Sequence, residues 1–110
     1  MNREPRWVPE ALDDLQHGYD WYEEREPGLG HQLVVEVFRA VGVAVGHPRV
    51  PKRFVHPDLP EEPEVRRIGL RRFHEYSIVF VVVDETLWIL AVAHAKRQPT
   101  YWTARVKGVT

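Results

Sequence analysis

The sequence predicts an α+β fold in which a helical hairpin packs on a small, largely antiparallel sheet. Residues 9–45 place apolar side chains every three to four positions, as one-sided helices do. From Val65 the period changes to two, and two very apolar runs, Ile78–Val83 and Leu87–Ala93, have the length of core strands. The expected order is β-α-α-β-β-β. One domain is predicted over residues 1–110, because neither half contains enough structure to fold alone.

The first helix is predicted to begin at Pro9, after a brief strand at Arg6–Val8, because proline fits the first turn of a helix. Pro27-Gly28 ends it. Its apolar face is formed by Leu12, Leu15, Tyr19 and Tyr22. The second, more apolar helix is predicted from about Leu29 to Val45. Its apolar stripe is formed by Leu33, Val34, Val37, Phe38, Val41 and Val45. The short turn between the helices favours an antiparallel hairpin.

The next segment, residues 46–64, contains five prolines and predicts a surface connection that Phe54 and Val55 attach to the core. After this segment, the alternation of apolar and polar residues predicts a strand with Ile68 on one face and Arg67 on the other. Asp84-Glu85 is the expected turn between the last two strands. One core is predicted to contain Leu12, Leu15, Leu33, Val37, Phe38, Val41, Ile68, Leu70, Ile78, Phe80, Ile89 and Val92.

Charge is distributed unevenly along the chain. Residues 1–64 carry 7 Lys and Arg against 13 Asp and Glu, whereas residues 65–110 carry 8 against 3. This asymmetry is typical of a molecule with one face suited to an anionic partner. A solvated acidic helix beside a basic strand explains it equally well.

Several classes of protein are disfavoured by composition. The chain has no cysteine, which excludes disulfides and thiolate metal sites. The six histidines lack the spacing of metal ligands, so no metal and no cofactor are expected. No run approaches the roughly 18 uninterrupted apolar residues of a membrane span, and residues 1–7 lack the apolar core of a secretory signal. The expected location is the cytoplasm, without a membrane partner.

Cationic and aromatic residues stand at the ends of the predicted strands. We expect these residues to lie outside the core and to bind a charged target. They are Arg67, Arg71, Arg72, Lys96, Arg97, Tyr101 and Trp102. Two alternatives stay open: the arginines can be the polar side of an edge strand, and the two aromatic residues can cover the core.

Cleavage of RNA would need a base, an acid and cations beside the phosphate. The candidate catalytic residues are Arg71, His94, Arg97 and Tyr101, and His74 is a second possible proton carrier. A histidine that ends a strand and makes one backbone hydrogen bond is the simpler interpretation of His94.

Two segments carry a family resemblance: Arg71–Tyr76, which reads RRFHEY and opens the central strand, and Ala91–Pro99, which reads AVAHAKRQP. Over residues 7–102 the chain resembles the RelE/ParE superfamily of toxins from bacterial type II toxin–antitoxin systems. The resemblance implies a small toxin that is neutralised by an antitoxin encoded beside it. ParE-like members inhibit DNA gyrase, and RelE-like members cleave mRNA in the ribosomal A site.

The match to the RelE-like catalytic residues is partial. Arg67 and Arg71 correspond to basic residues of the strand after the helices, Arg97 to the arginine after the last strand, and Tyr101 loosely to a C-terminal tyrosine. The resemblance implies an arginine directly after the tyrosine of the central strand, where this chain has Ser77. This departure favours a ParE-like inhibitor of gyrase. The alternatives are a ribosome-dependent mRNA endonuclease and a family member without toxicity that acts as a binding module.

The resemblance also implies an apolar groove that the antitoxin fills, in a hetero-oligomer of toxin and antitoxin. We expect this groove between the helical hairpin and the sheet edge, with Trp21 or Tyr22 at its rim. Trp21 falls off the apolar stripe of the first helix, as an exposed interface residue does.

Overall fold

A computed structural model describes residues 4–98 and 100–110. Two long helices, α1 (Pro9–Arg25) and α2 (Leu29–Gly46), precede most of a five-stranded sheet. The strands are β1 (Arg6–Trp7), β2 (Lys52–Arg53), β3 (Arg66–Gly69), β4 (Tyr76–Val83) and β5 (Thr86–His94). A short helix, α3 (Thr100–Thr103), and a 3₁₀ helix (Ala104–Gly108) follow. The predicted fold class is confirmed, whereas β2 and the C-terminal helical segment were not predicted.

The strands are arranged in the order β1-β5-β4-β3-β2. Only β1 is parallel to its neighbour, β5, and the other pairs are antiparallel. Asp84 and Glu85 connect β4 to β5 with positive φ angles of 49° and 67°, the conformation of a tight hairpin turn whose twist matches that of the strands. The register between β4 and β5 shifts beside Val79 and Phe80, where Leu90 is the extra residue.

Glycines allow α1 and α2 to approach closely. A Cβ atom on Gly30 would lie 2.5 Å from the Tyr19 carbonyl oxygen, and one on Gly18 would lie 2.8 Å from Leu33. The tight connection turns at Gly28, whose φ is 93°. The predicted antiparallel hairpin therefore depends on backbone contacts that larger residues would prevent.

A remote carboxylate caps the start of α2. Glu23 Oε1 accepts the N–H groups of Gly28 at 2.8 Å, Gly30 at 2.9 Å and His31 at 3.4 Å. These are among the N–H groups that the first turn of a helix leaves without partners. The hydrogen bond from Gly28, assisted by those from His31 and Gly30, lowers the pKa of Glu23.

Most of the predicted core is buried as expected, and Ile68 packs against it partly buried. Two predictions are wrong: Leu12 is 49% exposed and Phe38 is 52% exposed. The buried side of α1 is formed by Ala11, Asp14, Leu15 and Gly18, and that of α2 by Gly30, Leu33, Val37, Ala40, Val41 and Ala44. Leu12 and Phe38 each stand one position beyond these stripes, about 100° round the helix. Phe38 contacts Trp7 at 5.6 Å between ring centroids.

The two faces of the sheet differ. The face against α1 and α2, here the helix face, carries Ile68, Tyr76, Ile78, Phe80 and Val92. The other face, here the groove face, carries Arg67, Gly69, Ser77, Val79, Ala91 and Ala93.

The C-terminal helical segment partly covers the groove face. Trp102, only 2% exposed, packs on Phe54 with 5.4 Å between ring centroids, and Val106 is buried with it. The expectation that Trp102 lies outside the core is therefore wrong, and its role is the alternative one of covering the core. Phe54 attaches the connection as predicted, but Val55 is exposed.

By length and composition alone, α2 is apolar enough to cross a membrane. Helices that pack in a protein core pass the same test. Here α2 contains the ion pair between Glu36 and Arg39 and places one face against α1 and the sheet.

Candidate functional site

A groove lies on the groove face at the open end of the sheet. Its floor contains Gly69, Ser77 and Ala93, which are direct neighbours across β3, β4 and β5. Because these three side chains are small or absent, the strands leave a concavity of about 490 Å³ between the C-terminal segment and β2. The larger neighbours of Ser77 along β4, Tyr76 and Ile78, point to the opposite face.

Cations form the rim of the groove. Lys52, Arg67 and Arg97 line it together with His74 and His94. The guanidinium of Arg67 lies 5.2 Å from the centroid of the Phe54 ring, and that of Arg97 lies 3.6 Å from the centroid of Tyr101. Stacking on aromatic rings orients both guanidinium groups. Among the residues that the structure describes, the lining carries three cations, Lys52, Arg67 and Arg97, against a single acidic residue, Glu75. The rim therefore favours an anionic or carbonyl-rich ligand.

A second cavity, of about 400 Å³, lies between α1 and the end of β5. Trp21 and Tyr22 line it from α1, and Lys96 lines it from the end of the sheet. Five of its residues also line the groove: Glu75, Tyr76, His94, Arg97 and Tyr101. The two cavities are therefore neighbours that share side chains near the end of β5.

The second cavity has a largely aromatic wall. Trp21, 50% exposed, meets Tyr22 edge-on at 4.9 Å, and Tyr22 lies 6.3 Å from Tyr76 between ring centroids. Burial raises the pKa of Tyr76 to about 12, with Tyr22 and Glu75 as further causes. Burial and Glu75 also raise the pKa of Tyr22. Both phenols are therefore neutral near pH 7.

Of the predicted target-binding and catalytic residues, Arg67, His94, Lys96, Arg97 and Tyr101 come together at this end of the sheet, and Trp102 lines the groove from its buried position. Arg71 and Arg72 do not join them, and the prediction of one shared surface is wrong for this pair. Arg72 donates from its side chain to Gln32 and from its backbone to Glu36 Oε1 at 3.3 Å. Arg71 lines a small cavity with Glu36, on the side of α2.

The chain between β3 and β4 explains this separation. It bends at residues 71–73, and Phe73 has a φ of 64°. A strict alternation continued from β3 would have placed Arg71 beside Arg67, but β3 ends at Gly69.

His94 makes the backbone hydrogen bond expected of a strand-end histidine. Its Nδ1 accepts the N–H of Lys96 at 3.1 Å, and its ring meets Tyr76 edge-on at 4.8 Å. This bond requires an unprotonated Nδ1. Proton transfer by His94 is thus restricted to Nε2. The motif that continues from His94 ends at Pro99, which lies outside the described residues.

Tyr101 is held among charges. Burial and the Asp14 carboxylate raise its pKa, and the guanidinium groups of Arg97 and Arg105 oppose that shift. Its hydroxyl is buried beside the backbone of His94, which also opposes the upward shift of the pKa. The neutral phenol therefore offers its ring, rather than its hydroxyl, to the guanidinium of Arg97.

Two residues that the sequence did not single out support this end of the sheet. The buried carboxylate of Asp14 accepts the N–H of Val92 at 3.1 Å and a hydrogen bond from Arg105 Nη1 at 2.7 Å. Arg105 Nη1 also donates to the Leu90 carbonyl at 2.9 Å. Because β1 pairs only with Trp88 and Ile89 of β5, these side chains satisfy backbone groups that the sheet leaves unpaired.

The sequence did contain a signal for Asp14. It lies on the same helical face as three small or apolar residues, Ala11, Leu15 and Gly18. A carboxylate on a buried face requires a partner. The identity of that partner, 91 positions away, is not encoded in any local pattern.

Within residues 4–98 and 100–110, no three His, Asp or Glu side chains form a group able to hold a metal ion. The groove itself is lined by cations, aromatic rings, Glu75 and two histidines.

Known proteins place this geometry in context. No curated protein sequence matches the chain. A solved chain of the chromosomal ParDE toxin–antitoxin system from P. aeruginosa is 24% identical, with a TM-score of 0.69 over 86% of this chain and 98% of that one. This likeness shows a shared fold. The family model of the ParE toxin of the type II toxin–antitoxin system parDE matches residues 6–99, and the chain therefore belongs to the ParE toxin family.

Proposed function

We propose that the protein is a growth inhibitor that acts on DNA gyrase in the cytoplasm and is neutralised by a cognate antitoxin. Membership of the ParE family supports the toxin class. The observation that carries the choice of target is Ser77. It occupies the middle of the groove floor, between Gly69 and Ala93, where the nuclease branch would require an arginine.

The groups that surround the floor also fit a binding site better than a nuclease. Cleavage of a phosphodiester needs an acid and a base that exchange protons near neutral pH. The Tyr101 hydroxyl is buried and its pKa is raised, and the pKa of Tyr76 is about 12. His94 already uses Nδ1 for the Lys96 amide. The cations, by contrast, are exposed, with 56% of the Arg97 side chain accessible.

We place the target-binding surface on Arg67, Lys96, Arg97 and Tyr101. Arginines that stack on rings are oriented before binding, and their planar forks suit carboxylates and backbone carbonyls of a protein surface. Arg71, Arg72 and Trp102 are left out, because the first two face α2 and the third is buried.

The antitoxin is proposed to bind beside this surface, at Trp21 and Tyr22. These rings line the second cavity, and Arg97 and Tyr101 line both that cavity and the groove. An exposed tryptophan next to an aromatic-lined cavity is typical of an anchor site in an interface. A segment bound there would lie against the target-binding residues.

Assays on the purified protein separate the proposed target from its alternative. We expect inhibition of gyrase supercoiling and intact mRNA on purified ribosomes. Arg97→Ala should weaken the inhibition at least about tenfold, as for the loss of a charge-assisted contact, and should shift the unfolding free energy by about 0.5 kcal/mol or less. Arg71→Ala is the matched control and should leave inhibition unchanged. Codon-biased mRNA cleavage without an effect on gyrase would overturn the proposal.

Neutralisation is tested by expression in cells. The chain expressed alone should arrest growth, and co-expression with the antitoxin from the neighbouring reading frame should restore it. Trp21→Ala should weaken the binding of the antitoxin, whereas Val35→Ala, a change at another exposed apolar residue, should not. Equal binding by both variants would remove the antitoxin site from Trp21.

A further inference from the structure

Two arginines approach the buried carboxylate of Asp14, but they are bound unequally. Arg105 donates from Nη1 to Oδ2 at 2.7 Å and from Nη2 to Oδ1 at 3.4 Å. Arg97 Nη1 lies 4.0 Å from Oδ1, beyond hydrogen-bonding distance. The Arg105 side chain is 12% exposed, whereas that of Arg97 is largely exposed. Arg105 is thus the fixed, hydrogen-bonded partner of Asp14, and Arg97 is a looser, solvent-exposed partner at the outer limit of an ion pair.

The surrounding contacts hold Arg105 in this role. Its Nη1 also donates to the Leu90 carbonyl, and Asp14 accepts the N–H of Val92. The carboxylate is therefore tied to β5 on one side and to the C-terminal 3₁₀ helix on the other. The ring of Tyr101 contacts both guanidinium groups, at 3.6 Å from Arg97 and 5.2 Å from Arg105.

A buried carboxylate without a cation is strongly disfavoured, so Asp14 is expected to form an ion pair with a nearby cation. Arg105 supplies that cation. Without Arg105, the guanidinium of Arg97 needs a shift of only about 1 Å to form a hydrogen-bonded ion pair. An arginine paired in this way would no longer present its charge to the groove.

We propose that Arg105 is a positioning residue that, by neutralising Asp14, leaves the guanidinium of Arg97 free to bind an anionic or carbonyl-rich ligand in the groove. The importance of Arg97 for the ligand rests on the proposed function. The arrangement of the three charges does not, and it can be tested without knowledge of the target.

The first test measures the state of Arg97 directly. NMR spectroscopy reports the rate at which the Arg97 Nη protons, which would bind Asp14, exchange with water, and their signals are identified by their loss in Arg97→Ala. Arg105→Gln should slow this exchange, because Asp14 then captures Arg97. The double variant Asp14→Asn/Arg105→Gln should restore the rate of the parent protein. Unchanged exchange in Arg105→Gln, or slow exchange that persists in the double variant, would overturn the proposal.

The second test measures growth arrest, corrected for the amount of folded protein. Arg97→Ala should weaken arrest at least about tenfold in the parent and in the double variant. The same change should add almost nothing in the Arg105→Gln background, where Arg97 is already occupied. A merely structural role for the ion pair predicts an equal loss in all three backgrounds, and that result would contradict the proposal.

Two further variants cover the case in which Arg105→Gln fails to fold. Asp14→Asn removes the competing charge and should leave Arg97 exchange fast and arrest intact in the folded protein. Arg105→Lys keeps the charge and should behave as the parent. Slow exchange at Arg97 in either folded variant would overturn the proposal. If the parent causes no arrest at all, the proposed function fails, and the exchange measurement still decides this inference.

Discussion

The two faces of the same three strands serve different purposes. On the helix face, Tyr76, Ile78 and Phe80 are large and buried against the helical hairpin. On the groove face, the neighbours at the open end are Gly69, Ser77 and Ala93, which leave a concavity with a cationic rim. One alternation of large and small side chains therefore produces both the core and the candidate site.

The two faces are also closed in different ways. The helix face is covered by α1 and α2 along the sheet, with glycines that bring the two helices together. The groove face is covered only in part, by Trp102 and Val106 of the C-terminal segment. Changes to the helix face should therefore act on stability, and changes to the groove should act on binding.

The largest effect is expected on the helix face. Phe80→Ala should lower the free energy of unfolding by about 3–5 kcal/mol, because the ring is 1% exposed and its loss leaves a cavity. Phe38→Ala makes the same chemical change at a half-exposed ring and should cost about 1 kcal/mol. Urea denaturation of both variants measures the difference. Equal losses would contradict the assignment of Phe38 to the surface.

The groove face should respond in the opposite way. Gly69→Leu places a side chain on the floor, where a Cβ atom meets no neighbour within 4 Å. It should leave the fold intact and weaken growth arrest at least about tenfold, by displacing a charge-assisted contact with the ligand. Gly42→Leu, at a glycine of α2 that is equally open, is the control and should keep full activity. Full activity of Gly69→Leu would show that the ligand does not enter the groove.

Tyr76, at the end of β4 on the helix face, links stability to alkaline pH. Because burial raises its pKa to about 12, the folded state favours the neutral phenol. The stability that the neutral Tyr76 phenol adds is fully present below the ordinary tyrosine pKa of about 10 and is lost as pH rises through about 12. The tyrosinate absorbance should report this late titration. Tyr76→Phe should remove this titration. The free energy of unfolding should then fall less between about pH 10 and about pH 12, the ordinary and the raised pKa of the phenol. Titration of every tyrosine near pH 10 would contradict its burial.

The smallest effect is expected at the helix cap, away from both faces. The pKa of Glu23 is lowered by the hydrogen bond from Gly28. The stability that it adds is therefore present above the ordinary glutamate pKa of about 4.3 and is lost as pH falls through the lower, folded value. Glu23→Gln should reduce this acid sensitivity, and Glu24→Gln, one position along α1, should not. Melting temperatures measured across acidic pH test this prediction.

Much of the architecture was predictable from the sequence. Periods of three to four residues predicted α1 and α2, and the period of two predicted β3, β4 and β5, because each period follows from the geometry of its own segment. The positions of the small residues Gly69, Ser77 and Ala93 were readable in the same way. Their effect as a floor depends on the register between strands, which the sequence did not provide.

The candidate site was predictable only in part. Arg67 and Arg97 were predicted to share one surface and both line the groove, because one belongs to a strand and the other closely follows the end of one. Arg71 and Arg72 were misplaced, because their orientation depends on a bend rather than on a repeating geometry. Trp102 was misplaced for a related reason: nothing near it in the chain shows that the segment after β5 folds back over Phe54.

The order of the helices, the alternation of the strands and the resemblance to a toxin family follow from the sequence, since these depend on neighbouring residues. Three features follow from the packed fold instead: β1 lies beside β5, Trp102 is buried, and Asp14 pairs with Arg105 across 91 positions. A buried charge or ring pairs with the partner that chain packing brings to it. That choice depends on the whole fold and on no single segment.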